Sequence, residues 1–187
     1  IYKLIFGIII CCAPFISIQS QPLIINEFLA LNKNNIEDGF GESEDWLELY
    51  NPGDKPFNIG GLFFTDDLDN PTKYQIPTKN LKWTSIGPKK TMILWLDGDD
   101  EQGTRHLSFR LKGEGGTIGI FDDKLQLIDS ITYPKQFEDI SFGRENYSSS
   151  NLCYFPVPTP NQTNNDGLLL PDPQKVPVFS KEGGFNN

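Results

Sequence analysis

The stretch "EDWLELYN" (44–51) sets carboxylates beside bulky aromatic rings, so it reads either as part of a sugar-cleaving site or as one strand of a β-sheet. Successive side chains of a strand point to opposite faces, which puts Leu47 and Leu49 on one face and Trp46, Glu48 and Tyr50 on the other. The two leucines form the core face. Glu48 then stands between two rings, on the outer face or at a seam covered by the loops that follow. A glycosidase needs a second carboxyl about 5–10 Å away, and Asp45, three positions back on an alternating strand, points away from Glu48. The strand reading therefore prevails, with Glu48 accepting hydrogen bonds from a neighbouring loop or from an arginine such as Arg144.

The same rhythm runs outward in both directions. Short apolar or alternating runs at 23–29, 46–50, 57–65, 73–76, 91–96, 106–111, 117–121, 126–133, 141–144 and 153–155 predict strands. Between them lie "NPGDKP", "DDLDNP", "SIGPKK", "DGDDEQG", "KGEGG" and "DDK". Such clusters turn the chain because Gly supplies positive φ, Pro pre-sets φ, and Asp or Asn bonds back to its own backbone. No run holds a helical period long enough for more than a single turn. Fourteen Phe, six Tyr and three Trp in 187 residues suit one all-β domain with flanking segments. The spacing of the strands predicts an immunoglobulin-like β-sandwich.

The ends read differently. Residues 1–20, "IYKLIFGIIICCAPFISIQS", have one cation, Lys3, then an apolar run and a more polar exit, as in a secretory signal peptide cleaved after Ser20. A membrane anchor fits less well, since the run is shorter than the roughly 18 residues of a span and Pro14 interrupts it. Cys11 and Cys12 lack the small preceding residues that lipidation prefers. Cleavage leaves Cys153 as the one thiol, so no internal disulfide is expected. Losing Lys3 takes the formal charge from −9 to −10. A surface this acidic disfavours nucleic acid and anionic membranes as partners. From residue 156 the text becomes rich in Pro and Asn, as in an extended linker, with the sandwich closing at 163 and the linker proper at 164–176. A strand-like run opens at 177–187, and the first residue is Ile, so the chain is expected to be a piece of a longer protein.

Several clusters could carry chemistry. Asp66, Asp67, Asp69 and Asn70 are the best calcium candidates, because a hard cation takes several carboxylate and carbonyl oxygens. Asx-turns account for the same residues, and no cofactor is otherwise expected. After Asp97, Asp99 and Glu101, Gln102 falls where a calcium loop needs glycine. His106 is the single histidine and Cys153 the one thiol it could recruit, so neither a zinc site nor a Cys-His nucleophile is expected, and a serine triad would need that same histidine. "KGEGG" (112–116) links two strands and reads as a hairpin turn. Trp46, Tyr50 and Trp83 could stack on sugars if they form a flat exposed row, whereas Trp95 sits in an apolar run suited to the core.

The ordered motifs "IINEFLALN", "EDWLELYNPGD", "FNIGGLFFTDDLDNPTKYQIP", "GPKKTMILWLDG", "HLSFRLKGEGGTIGIFD", "LIDSITYP", "DISFGR" and "FPVPTPNQTN" resemble the bacterial secreted type of lamin tail domain over about residues 23–163. The pattern departs at "HLSFRL" (106–111), where the family more often has His, a small polar residue and Asn. The resemblance implies an Ig-like β-sandwich and a non-catalytic module of a secreted or cell-surface protein. It implies structural roles for Asn26 and Glu27 at the end of the first strand, Glu48 and Asn51 around the second, Asp66–Asn70 in a loop, and Gly143 with Arg144 near the last strands. "PVFSKEGGF" (177–185) is similar to the start of a chitobiase C-terminal-like β-domain. Proteins with both modules often continue into a domain resembling the spore-coat protein H kinases, which would place any activity downstream. The expected partner is a protein or a cell-surface glycan, with a carbohydrate-binding module as the alternative. The nuclear partners of eukaryotic lamin tails do not transfer to a secreted, acidic chain.

Overall fold

The computed structural model describes residues 23–164, so the segments read as signal peptide, linker and second domain lie outside the described residues, apart from Asn164. In chain order the strands are β1 (Ile24–Leu29), β2 (Trp46–Tyr50), β3 (Phe57–Asn58), β4 (Phe63–Thr65), β5 (Tyr74–Gln75), β6 (Ser85–Ile86), β7 (Thr91–Trp95), β8 (Gly116–Phe121), β9 (Leu127–Tyr133), β10 (Ser141–Arg144) and β11 (Leu152–Phe155). One helical turn, α1 (Leu81–Thr84), and one 3-10 turn (Asp100–Gln102) complete the described elements. The all-β expectation therefore holds.

An antiparallel sheet of order β11-β10-β1-β2-β7 packs against a second of order β5-β4-β8-β9, and β3 pairs with β6 beside them. Their facing side chains make one apolar core: Leu47, Leu49 and Leu94 from the first sheet meet Phe64, Ile118, Ile120 and Ile131 from the second. This is an immunoglobulin-like sandwich. Burying Leu47 and Leu49 fully stabilises by about 1.5–3 kcal/mol per side chain.

β2 pairs with β1 on one side and β7 on the other, and all five of its residues are buried. Alternation correctly assigns Leu47 and Leu49 to the core between the sheets. The opposite face is also covered, however: Trp46 packs with Leu29 and Ile93, under Ile36. A central strand capped by loops is apolar on both faces, and here the covered-seam alternative is the one realised.

Two predicted strands change. The run 57–65 breaks into β3 and β4, because Gly61 takes φ 88°, where a glycine turns the chain without steric cost. The run 106–111 keeps its alternating burial, with Leu107, Phe109 and Leu111 inside, yet forms only isolated bridges to Trp95 and Asp97. Its period of two reports burial rather than a ladder.

Candidate functional site

Glu48 lies at the centre of the first sheet. The β1–β2 register slips between Ile25 and Glu27, so Asn26 is the extra residue of a β-bulge. The bulge sets Glu27 directly opposite Glu48, and Gly143 lies opposite Glu27 on its other side. Asn26 and Glu27 thus sit within β1 and not at its end, as the resemblance implied. Both carboxylates are fully buried.

Their partners are Asn26, Ser141 and residues of the segment 156–164. Glu48 Oε1 accepts from Asn26 Nδ2 at 2.7 Å, and its other oxygen accepts from the backbone N–H of Asn161. Glu27 accepts from Ser141 Oγ, from Thr159 N at 2.9 Å and from Thr159 Oγ1 at 2.6 Å. Asn164 accepts from Asn26 Nδ2 at 2.8 Å and donates to the Arg144 carbonyl at 2.7 Å. Residues 156–164, which composition reads as linker, are therefore a strap bonded across β1, β2 and β10, and the domain runs at least one residue beyond 163. Loss of hydration pushes the Glu48 carboxyl up to about 7, with Glu27 beside it adding to the effect. Burial raises Glu27 too. Sealed from solvent and spent on the strap, this pair does structural work.

Arg144 does not reach Glu48. Its Nη2 holds Asp129 at 2.8 and 3.0 Å and its Nε donates to the Ile25 carbonyl at 3.0 Å, while Ile25 N donates to Asp129 at 2.8 Å. The guanidinium thus ties β10 to β9 and β1. Asn51 closes the turn after β2, donating from Nδ2 to the carbonyls of Lys55 and Ile86 and accepting from Gly53 N at 2.9 Å. The loop 66–70 binds itself: Asp66 pairs with Lys73, Asp67 accepts from Asp69 N at 3.1 Å, and Thr65 Oγ1 donates to the carbonyls of Asp67 and Asn70. Turn chemistry engages one carboxylate oxygen each of Asp66 and Asp67 and the carbonyls of Asp67 and Asn70. Cys153 is buried and its thiol is pushed up to about 11 by desolvation, which disfavours the thiolate at neutral pH.

The sugar-stacking row does not form. Trp46 is fully buried and Tyr50 is buried against Tyr147, their rings stacked at 3.8 Å, which leaves Trp83 as the exposed member. Trp83 instead lines an open cleft of about 390 Å³ with Trp95, Arg105, His106 and Gln102. Lys82 and Arg105 lie 5.0 and 5.3 Å from its ring, making a cationic aromatic patch on an acidic chain. Arg105 also donates to the Trp83 carbonyl at 3.0 Å.

At one wall of this cleft the segment 105–107 is laced to 95–98: Trp95 N donates to the Arg105 carbonyl, Leu107 N to that of Trp95, and Gly98 N to that of Leu107. The lacing puts His106 Nδ1 against Asp97 Oδ2, with both residues buried. The imidazole lies at 25° to the Trp95 ring and meets Phe40 edge-on. A turn at Asp38–Gly41 brings in Asp38, and one potential ligand atom from each of Asp38, Asp97 and His106 lies within 4.8 Å of the other two. Sequence spacing gives no signal for this grouping, since positions 38, 97 and 106 meet only through the β2–β7 pairing and the loops at its end.

The family model described as Lamin Tail Domain matches residues 17–135. No curated protein and no solved structure matches the chain. The matched residues include the bulged β1, the doubly covered β2 and the β8–β9 hairpin, and the chain belongs to the lamin tail domain family.

Proposed function

We propose that the chain is a non-catalytic interaction module of a larger secreted or cell-surface protein, of the bacterial secreted type, that meets its partner at the Trp83–Trp95 cleft. The exposed indole of Trp83, flanked by Lys82 and Arg105, carries this reading. Trp and Arg are the side chains that most often dominate binding energy at protein interfaces. The interior carboxylates Glu27, Glu48 and Asp129 are engaged in holding strands and strap, in keeping with a family that is a non-catalytic module type. On this reading the partner is a protein. A cell-surface glycan is the second reading, favoured by two indoles lining one cleft. A chitobiase-like domain would begin at 177–187 within a spore-coat protein H-like parent, and residues 1–20 would direct export.

A photoreactive phenylalanine analogue at position 83 tests the interface on the surface of cells that express the exported chain. It is expected to cross-link one discrete protein, whereas the same group at exposed Leu125 does not. A glycan array run with the native chain and with Trp83→Ala separates the sugar reading. Equal cross-linking at both positions together with an empty array would reject the cleft as the interface. N-terminal sequencing of the exported chain is expected to start at Gln21.

A further inference from the structure

We infer that Asp38, Asp97 and His106 form a binding site for a divalent transition-metal ion of the zinc class, opening toward the Trp83–Trp95 cleft. Two acidic oxygens and one imidazole nitrogen are a donor set that Zn²⁺ accepts, and three protein ligands leave a coordination position for water or a partner's carboxylate. The three groups converge to within 4.8 Å, so side-chain shifts of about an ångström bring them to the roughly 2.0–2.1 Å at which Zn²⁺ takes nitrogen and oxygen ligands. It takes the place of the proton between Asp97 and His106.

The Asp38 carboxylate supplies an independent observation. Its Oδ1 accepts from Phe40 N at 2.8 Å and Glu42 N at 2.9 Å, which fixes its orientation. Its Oδ2 is buried and has no hydrogen-bond partner among the described residues. A buried carboxylate oxygen without a donor is costly, and a cation relieves that cost directly. Gln102 Oε1, from the wall of the same cleft, is likewise buried without a donor. The ligands are held in place from outside: Asp97 Oδ1 accepts from Asp99 N at 3.0 Å, Tyr74 Oη donates to the His106 carbonyl at 3.0 Å, and Gln102 Nε2 donates to Glu42 at 2.8 Å, tying the Asp38 turn to the 3-10 turn. Such support is what orients ligands in metal sites. The neighbours Glu42, Asp99 and Asp100 add negative charge, and the formal charge of the chain is −9. In the acidic loop at 66–70, by contrast, Asp66 is paired with Lys73.

His106 is the single histidine, so a histidine-dependent cobalt spectrum reports on this site, and Trp95, one of three tryptophans, stacks near it and gives a second signal. Titrating the metal-free chain with Zn²⁺ is expected to raise its melting temperature, and titrating it with Co²⁺ to quench tryptophan fluorescence and give visible absorption bands. Asp38→Asn, which keeps the oxygen that accepts from Phe40 N and Glu42 N, is expected to melt without metal at or above the native temperature while losing at least about tenfold in Zn²⁺ affinity. His106→Gln is expected to abolish the cobalt bands. Ca²⁺ and Mg²⁺ at equal concentration are expected to leave both signals unchanged, because they disfavour nitrogen ligands. Absence of Zn²⁺ binding, unchanged affinity in Asp38→Asn, or a response to Ca²⁺ equal to that to Zn²⁺ would each overturn the assignment. The cross-linking test at position 83 is independent of all of them.

Discussion

Gly143 shows how closely the strands approach one another around the buried carboxylates. A Cβ on this residue would lie 2.2 Å from the Asn26 carbonyl oxygen and 2.6 Å from Glu27 Cα, both rigid backbone atoms of the bulge. Neither can yield without breaking the register that places Glu27 opposite Glu48. Gly143→Ala is therefore expected to destabilise by about 3 kcal/mol or more, at or beyond the upper end of ordinary overpacking. Gly39→Ala, whose Cβ meets nothing within 4 Å, is the control and is expected to change stability by less than about 0.5 kcal/mol. Urea denaturation of the two variants reads the difference. Arg144 carries the companion lesson: it pairs with Asp129 while its guanidinium also donates to the Ile25 carbonyl of the neighbouring β1, whereas Glu48 lies on β2, one strand further on.

At the scale of elements, the strap 156–164 is where composition and structure part. Proline-rich text specifies an extended chain, but whether that chain is solvated or bonded depends on what awaits it, and here two buried carboxylates do. A chain ending at residue 155 loses the donors of Thr159 and Asn161, the amide of Asn164, and the Gln162 carbonyl that accepts from Tyr147 Oη at 3.0 Å. Hydrogen bonds to charged groups are worth about 1.5–3 kcal/mol each, so this truncation is expected to cost on the order of 3 kcal/mol after water replaces some of them. A chain ending at 164 is expected to keep full stability. Urea melts of the two truncations compare them, and equal stability would mean that the strap follows the fold without supporting it. The strands themselves were largely legible: β2 and β10 run over the stretches that alternation and turn residues predict. What stayed hidden was non-local. The covering of the outer face of β2, the halting of 106–111 short of a strand, and the meeting of Asp38 with His106 depend on which loops close over which strand, and periodicity holds no record of that.

Across the whole molecule, the buried acids set the response to pH. Glu48 and Asp45 are each pushed up to about 7 by desolvation, from ordinary values of 4.5 and 3.8, and Glu27 is raised by the same cause. A carboxyl whose folded-state pKa lies above its unfolded value contributes its full stability below the unfolded pKa and loses it as pH rises through the folded one. The stability of this domain is therefore expected to be greatest near pH 4.5, to fall as pH rises toward about 7, and then to level off. Asp139 works in the opposite sense: its small burial cost is outweighed by bonds from Lys33 and Asn34, but it lies near the surface and acts only below its ordinary value of 3.8. For Glu48 alone, the move from 4.5 to about 7 corresponds to a cost on the order of 3 kcal/mol at neutral pH. Glu48→Gln keeps the acceptor for Asn161 and removes the buried charge at the cost of one neutral hydrogen bond, about 1 kcal/mol, because an Asn26 amide turned over to accept from the new N–H gives up its bond to Asn164. The variant is expected to melt higher than the native chain at pH 7.5 and to show a shallower slope between pH 4.5 and 7. General repulsion on a chain of charge −9 would also favour mild acid, but salt screens it. The cost of burying Glu48 is set by lost hydration and persists in about 1 M salt. A slope that vanishes at high salt, or that Glu48→Gln leaves unchanged, would assign the pH response to the acidic surface instead.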